Sequence, residues 1–369
     1  MDRVRVAVRQ AVDLLGGMGR FVHPGDRVVV KPNLLRSSKP EQAIVTHPAV
    51  LRAVVELVHQ AGGQVIIADS PGGPLSSPLM RRAYQQAGWA AVAQETGATL
   101  NFNFTGMQQS FPEGRLIKRF DILEEVAKAD CVISLPKLKT HGLMRFTGAT
   151  KILFGVVPGV LKLGYHTKLQ TASAFAEMLL DLLEMVKPRL AIMDAVVGME
   201  GKGPSAGSPR QIGAILASPN SVALDVVAAS LVGMEPLSIP VLKAAAQRGL
   251  TSGSAQDVNI LGDSLAALRV PDFKPPPSNP DIGAVPSVMP VALRRWLTGQ
   301  LLLTPSADPV RCTGCQTCFQ NCPVQAISMI NQKARMDPNK CIRCYCCHEL
   351  CPENAIDLRR GRLGQLVIH

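Results

Sequence analysis

The stretches CTGCQTCFQNCP (residues 312–323) and CIRCYCCHELCP (residues 341–352) decide the fold of the C-terminal end of this chain. Each carries the spacing C-x2-C-x2-C-x3-C-P. In that spacing three thiolates of one tight loop hold three corners of a 4Fe-4S cubane, and the cysteine before proline reaches across to a second cluster. On that rule Cys312, Cys315, Cys318 and Cys351 ligate one cluster, and Cys341, Cys344, Cys347 and Cys322 the other. Paired CxxC motifs also build zinc sites. Four cysteines per run, each run closing on Cys-Pro, favour two cubanes instead. Cys346 has no counterpart in the first run, so it is either a spare thiol beside a cluster or a substitute for Cys347.

The two runs form an internal repeat. Asp308-Pro309-x-Arg311-Cys312 returns 29 residues later as Asp337-Pro338-x-Lys340-Cys341, and Ala326-Ile327 returns as Ala355-Ile356. Such repeats mean two copies of one supersecondary unit sharing a core. Residues 305–369 resemble the bacterial two-cluster ferredoxins, which implies a small α+β domain with pseudo-twofold symmetry.

At 369 residues, 47% hydrophobic and 18% charged, the chain has room for one large domain besides the ferredoxin-like one. Nine of its ten cysteines lie in the C-terminal module, with Cys131 alone elsewhere, which argues against a secreted disulfide framework. Unpaired thiols and oxygen-labile clusters imply a reducing, cytoplasmic setting, and no apolar stretch approaches the ~18 residues of a membrane span. The formal charge is +11. Two oxidised cubanes at about −2 each bring it to roughly +7. A basic balance suits anionic ligands or acidic partners. With 4% aromatics and no basic tract interleaved with them, nucleic acid is not among the expected partners.

The first 270 residues alternate apolar runs with helical periodicity, the pattern of an α/β domain whose mainly parallel sheet is flanked by helices. Strands are expected at 28–31, 65–68, 100–104, 131–135, 190–193 and 258–261. Helices are expected at 48–61, 77–96, 122–129, 172–186, 220–232 and 240–248. The Pro-rich stretch from Pro271 to Pro290 reads as a stiff linker and Val291 to Leu303 as a bridging helix. The expected organisation is therefore an α/β domain over 1–270, a linker with its helix over 271–304, and the cluster domain over 305–369.

Polar residues gather just beyond predicted strand ends, where ligands bind in open α/β sheets. The stretches are Lys31-Pro32-Asn33, Asp69-Ser70-Pro71-Gly72-Gly73, Pro136-Lys137-Leu138-Lys139-Thr140-His141, and Asp194 through Glu200-Gly201-Lys202-Gly203-Pro204. Together with Thr147-Gly148-Ala149-x-Lys151 and Phe154-Gly155 they resemble the prokaryotic domain of unknown function numbered 362, over about residues 5–265. That family is often fused to a ferredoxin module, which implies an iron-sulfur association but no particular reaction.

The lysines and the Gly72-Gly73 turn suit a carboxylate or phosphate. Lys31, Asn33, Gly72, Gly73, Lys151 and Asp194 are therefore candidate cofactor- or ligand-binding residues, and His141, Lys137, Lys139 and Asp69 candidate catalytic ones. His166, in an irregular segment, is a second candidate acid or ligand. Asp69, Asp194 and Glu200 either orient the lysines or form an oxygen-rich metal site. The expected function is an iron-sulfur oxidoreductase that passes electrons, received from a redox protein or a small-molecule donor, to an anionic small molecule. The alternative is a non-catalytic electron-transfer or docking subunit.

Overall fold

The structure, a computed structural model, describes residues 2–277, 279 and 289–367. Its centre is a sheet built from β1 (Arg27–Pro32), β2 (Gln64–Ile67), β3 (Thr99–Leu100), β6 (Cys131–Leu135), β7 (Lys137–His141), β8 (Arg145–Thr147), β9 (Leu190–Glu200) and β10 (Ser208–Ser218). The hairpin of β4 (Gly106–Ser110) and β5 (Arg119–Leu123) stands apart. The order is β3-β2-β1-β6-β9-β7-β8, with β10 on β9. Pairing is parallel except at β7–β8 and β9–β10.

Because strand side chains alternate, a parallel sheet covered on both faces needs apolar residues at every position. In β1, Val28 and Val30 join the core beneath the N-terminal helix Asp2–Asp13 and helix Pro48–Gln60. Val29 enters the opposite core, under helices Ala172–Val186 and Ser221–Leu231.

Several expectations change. The helix expected over 77–96 is two, Ser77–Gln86 and Trp89–Thr96, because Gly88 takes a left-handed φ of 76° between them. Residues 119–123 form a strand, leaving only the turn Glu124–Ala127 helical. Residues 258–261 are not a strand, and β9 runs to Glu200 to pair with β10, a strand that no motif announced. Lys137, Lys139 and His141 lie within β7 rather than beyond a strand end, because the chain continues past Pro136 alongside β9. The expected linker falls partly outside the described residues. Its first part is packed, with Phe273 buried and the Lys274 amide donating to Glu200. The bridging helix spans Val291–Leu301.

In the module, β11 (Thr304–Ala307) pairs with β14 (Ile356–Arg359), and β12 (Ile327–Ile330) with β13 (Lys333–Met336). The 29-residue repeat is present in the backbone. Gly314, Gln316 and Gln325 are left-handed, as are their equivalents Arg343, Tyr345 and Asn354. The two halves lock reciprocally, since the Asp308 amide donates to Ala355 O (2.8 Å) and the Asp337 amide to Ala326 O (2.7 Å).

One buried carboxylate positions the segment that leads to Lys151. Asp225 accepts the amides of Ala149 (2.6 Å) and Thr150 (2.9 Å), and a side chain at Gly148 would collide with it. Asp225→Ala, which strands two buried amides, should cost about 2–4 kcal/mol in denaturant unfolding. Asp225→Asn, which keeps one acceptor, should cost less.

Candidate functional site

The module rests on the strand-end rim of the sheet. Arg36 donates to Cys351 O and to Asn354 Oδ1 (2.9 Å), Ser205 to His348 O (3.3 Å), and Lys202 pairs with Asp357 (3.4 Å). Gly73 passes so close to Asn321 that a Cβ there would strike its amide, and its φ of 91° favours glycine in any case.

Between the two bodies lies a cavity of about 790 Å³, its open mouth included. From the large domain it is lined by Lys31, Asn33, Asp69, Gly72, Gly73, His141 and Lys151, all singled out in the sequence. Lys162 and Ser70 join them, and the module supplies Cys346, Glu349 and Leu350. Lys137, Lys139 and Asp194 do not line it. Lys137 and Asp194 form a buried ion pair at 2.7 Å, and Asp194 also accepts the His47 amide at the start of helix Pro48–Gln60. Lys139 donates to Ile44 O at 2.9 Å. These three have structural occupations that explain their burial. Asp69, Asp194 and Glu200 do not converge, and among the described residues no three His, Cys, Asp or Glu side chains are placed to hold a single metal ion.

Electrostatics in the cavity follow from burial. Lys31 is lowered by desolvation, which its 2.7 Å pair with Asp69 partly offsets. Asp69 also accepts the amides of Leu34 (2.6 Å) and Ser70 (2.9 Å). Lys162, bonded to Ser70 O and 5.4 Å above the Phe154 ring, is lowered by burial to about 7. Lys151 is lowered by burial too, and among the described residues its ammonium has no hydrogen-bond or ion-pair partner.

His141 Nδ1 accepts the amides of Leu143 (3.0 Å) and Met144 (3.2 Å), so the neutral ring carries its proton on Nε2, 3.1 Å from Glu349 Oε1. Burial lowers His141 to about 4, so it is neutral at pH 7 and poorly suited to act as a strong general acid. Glu349 is held ionised: burial opposes this, but the adjacent Nε2 proton of His141 and the ammonium of Lys151 outweigh it. His166, stacked on Phe175 at 4.7 Å, is also lowered to about 4, and its Nδ1 is buried without a partner.

Sequence reasoning missed Lys162 and Glu349. Lys162 carried no motif, and Glu349 was concealed in the x3 gap between Cys347 and Cys351.

The cysteines line two further cavities. Cys312, Cys315, Cys318 and Cys351 line one of about 310 Å³, and Cys322, Cys341, Cys344 and Cys347 one of about 360 Å³, the space open to solvent included in both. Backbone amides donate to the pre-proline sulfurs in both halves, Ala326 to Cys322 and Ala355 to Cys351, each at 3.2 Å. Such N–H···S bonds suit a cluster that places negative charge on its thiolates. Thiolates that hold the corners of a cubane do not converge on one point, in keeping with the absence of a single-ion site. Cys346 lies on the wall shared by the second of these cavities and the lysine-lined one.

The profile of the domain of unknown function DUF362 matches residues 28–230, more than half the chain. The chain belongs to the DUF362 family. A 4Fe-4S dicluster domain matches residues 304–352, so this DUF362 protein carries a ferredoxin-type iron-sulfur domain. It is 36% identical over 251 residues to a thylakoid-associated protein of Synechocystis sp., covering 68% of this chain and 76% of that protein. Among solved structures it is similar to the lactate racemase apoprotein of Thermoanaerobacterium thermosaccharolyticum (TM-score 0.39, 14% identity, 59% of this chain and 52% of that one). A Thermotoga maritima protein is similar at TM-score 0.35 and 9% identity, over 60% of this chain and 55% of that one. The chain thus spans little more than half the length of these solved proteins, and likeness at this level carries no functional argument. Among the described residues no helix is long and apolar enough to cross a membrane.

The buried histidines make stability pH-dependent. With its folded value near 4, below the ordinary 6.5, His166 resists a proton that the unfolded chain accepts, so stability is lost as pH falls below 6.5. His166 should account for about 2 kcal/mol of that loss by pH 5. His166→Asn should flatten the decline in melting temperature between about pH 7 and 5 while leaving cluster absorbance intact.

Proposed function

We propose that this DUF362 protein is a cytoplasmic iron-sulfur oxidoreductase that delivers single electrons to an anionic substrate or cofactor held in the cavity between its two bodies. The observation that carries this reading is the shared wall at Cys346, with cluster cysteines on one side and a lysine-lined cavity on the other. Cys312, Cys315, Cys318 and Cys351 would hold one 4Fe-4S cluster, and Cys341, Cys344, Cys347 and Cys322 the second. The clusters would supply one-electron reducing equivalents.

The residues of the chain would do the rest. Lys151 would attract the anion, the Lys31–Asp69 pair would keep the rim rigid, and Leu350 and Glu349 would close the cavity against water. Cys346, which lines both the second cysteine cavity and the lysine-lined one and has no equivalent in the first run, would be a neighbour to the cluster rather than a ligand. Residues 1–270 and 305–369 would act as acceptor-binding and electron-delivering units joined by the intervening segment.

Differences between the two copies favour a direction. Cys315 is exposed, and around it Val310 is 89% and Phe319 45% exposed. Phe319's counterpart, His348, is buried against Lys202 O. A donor protein or small molecule would thus approach the first copy, and the acceptor would sit beside the second. The same exposed loop is what an electron-transfer subunit without its own substrate would present, and that is the second reading.

Anaerobic reconstitution should yield about eight iron and eight sulfide per chain; about four would reject the two-cluster assignment. Cys346→Ser should keep both clusters, whereas Cys347→Ser should lose or convert one. An acceptor that reoxidises the reduced protein, and does so more slowly with Lys151→Met, would favour the oxidoreductase over the docking subunit.

A further inference from the structure

We infer that the cavity between the two bodies selects a small monocarboxylate with a short apolar tail, and discriminates against phosphate and other dianions. The inference rests on the reading of this cavity as an anion site and narrows the class of anion. Three lysines line it, Lys31, Lys151 and Lys162, against two carboxylates, Asp69 and Glu349, so the surplus is at most one positive charge. Lys31 is already engaged by Asp69 at 2.7 Å, and Lys162 donates to Ser70 O.

Among the described residues the cation left without a partner is Lys151, and polar atoms of lining residues, Ser70 Oγ and His166 Nδ1 among them, are buried without a hydrogen bond. A carboxylate has the charge and the acceptor lone pairs to pair with Lys151 and take up further donors. A dianion would exceed the available positive charge and face the ionised Glu349 in a poorly solvated space, where an uncompensated charge is strongly disfavoured. An uncharged ligand would leave Lys151 unpaired. The remaining wall, including Phe154, Leu163 and Leu350, is apolar and suits a hydrocarbon tail of a few carbons.

The test is anaerobic calorimetry on the reconstituted, oxidised full chain at pH 7.5 with butyrate, butyramide and inorganic phosphate. Butyrate should bind at least about tenfold more tightly than either of the others. Lys151→Met should weaken butyrate about tenfold or more and Lys151→Arg should largely restore it, with cluster absorbance and melting temperature confirming each fold. Leu163→Ala, on the apolar wall, should weaken butyrate while leaving acetate unchanged, and it serves if the Lys151 variants do not fold. Phosphate binding as tightly as butyrate, butyramide matching it, or no binding by any of the three up to about 10 mM would each overturn the inference. Because no electron moves in this measurement, its failure is separable from failure of the oxidoreductase reading, which is read from cluster reoxidation.

Discussion

Glu349 is a carboxylate from the cluster-bearing module kept ionised beside the Nε2 proton of His141 of the large domain, close enough to Lys151 to feel its charge. A buried carboxylate is tolerated only where opposite charge and hydrogen-bond donors surround it. That condition requires the module to sit on the strand-end rim and not elsewhere. Once it sits there, Leu350 and Cys346 become cavity walls, the Gly73 turn must pass Asn321 without a side chain, and Arg36 reaches the Cys351 carbonyl. Lys151, from the opposite wall, is left without a direct partner among the described residues. The cavity is therefore a property of the assembled chain and belongs to neither body alone.

The duplicated module shows how one local design serves two surroundings. Left-handed residues at equivalent positions shape both cysteine loops, and equivalent Asp amides tie each half to the other. The copies differ where they meet their environment. In the second, His348 is buried and bonded to Ile356 O (2.5 Å), and Tyr345 hydrogen-bonds Leu303 O (3.0 Å). In the first, Phe319 and Cys315 face solvent. Backbone symmetry is retained because the cysteine geometry demands it, and side-chain symmetry is lost because the two copies meet different surroundings.

Lysines in this fold divide into two kinds. Lys137 and Lys139 are as buried as Lys31, but their ammonium groups are taken up by Asp194 and by a backbone carbonyl. They stabilise the crossing of β7, β9 and the 44–47 segment. Lys31, Lys151 and Lys162 line the cavity between the two bodies. Burial lowers Lys139 and Lys162 alike, to about 7, so a perturbed lysine by itself does not mark a site here; a perturbed lysine that lines a cavity does.

The cysteine spacing and its 29-residue repeat determined the iron-sulfur module, because three of each cluster's four ligands fall within one short loop and the fourth is marked by its Cys-Pro. The alternation of apolar runs determined a mainly parallel α/β sheet, and the strand-end rule brought Lys31, Asn33, Asp69, Gly72, Gly73, His141 and Lys151 to attention, since each is placed by its own element. Only the tertiary structure decided that Lys137 and Asp194 neutralise each other across β7 and β9, that β9 extends into a hairpin with β10, and that Lys162 and Glu349 meet in the same cavity. The first and last of those outcomes join residues 57 and 187 positions apart, and the β9–β10 hairpin, though close in sequence, has no motif to announce it. Side-chain charge is legible in a sequence, but whether that charge is spent on a neighbour is settled only when the neighbour arrives.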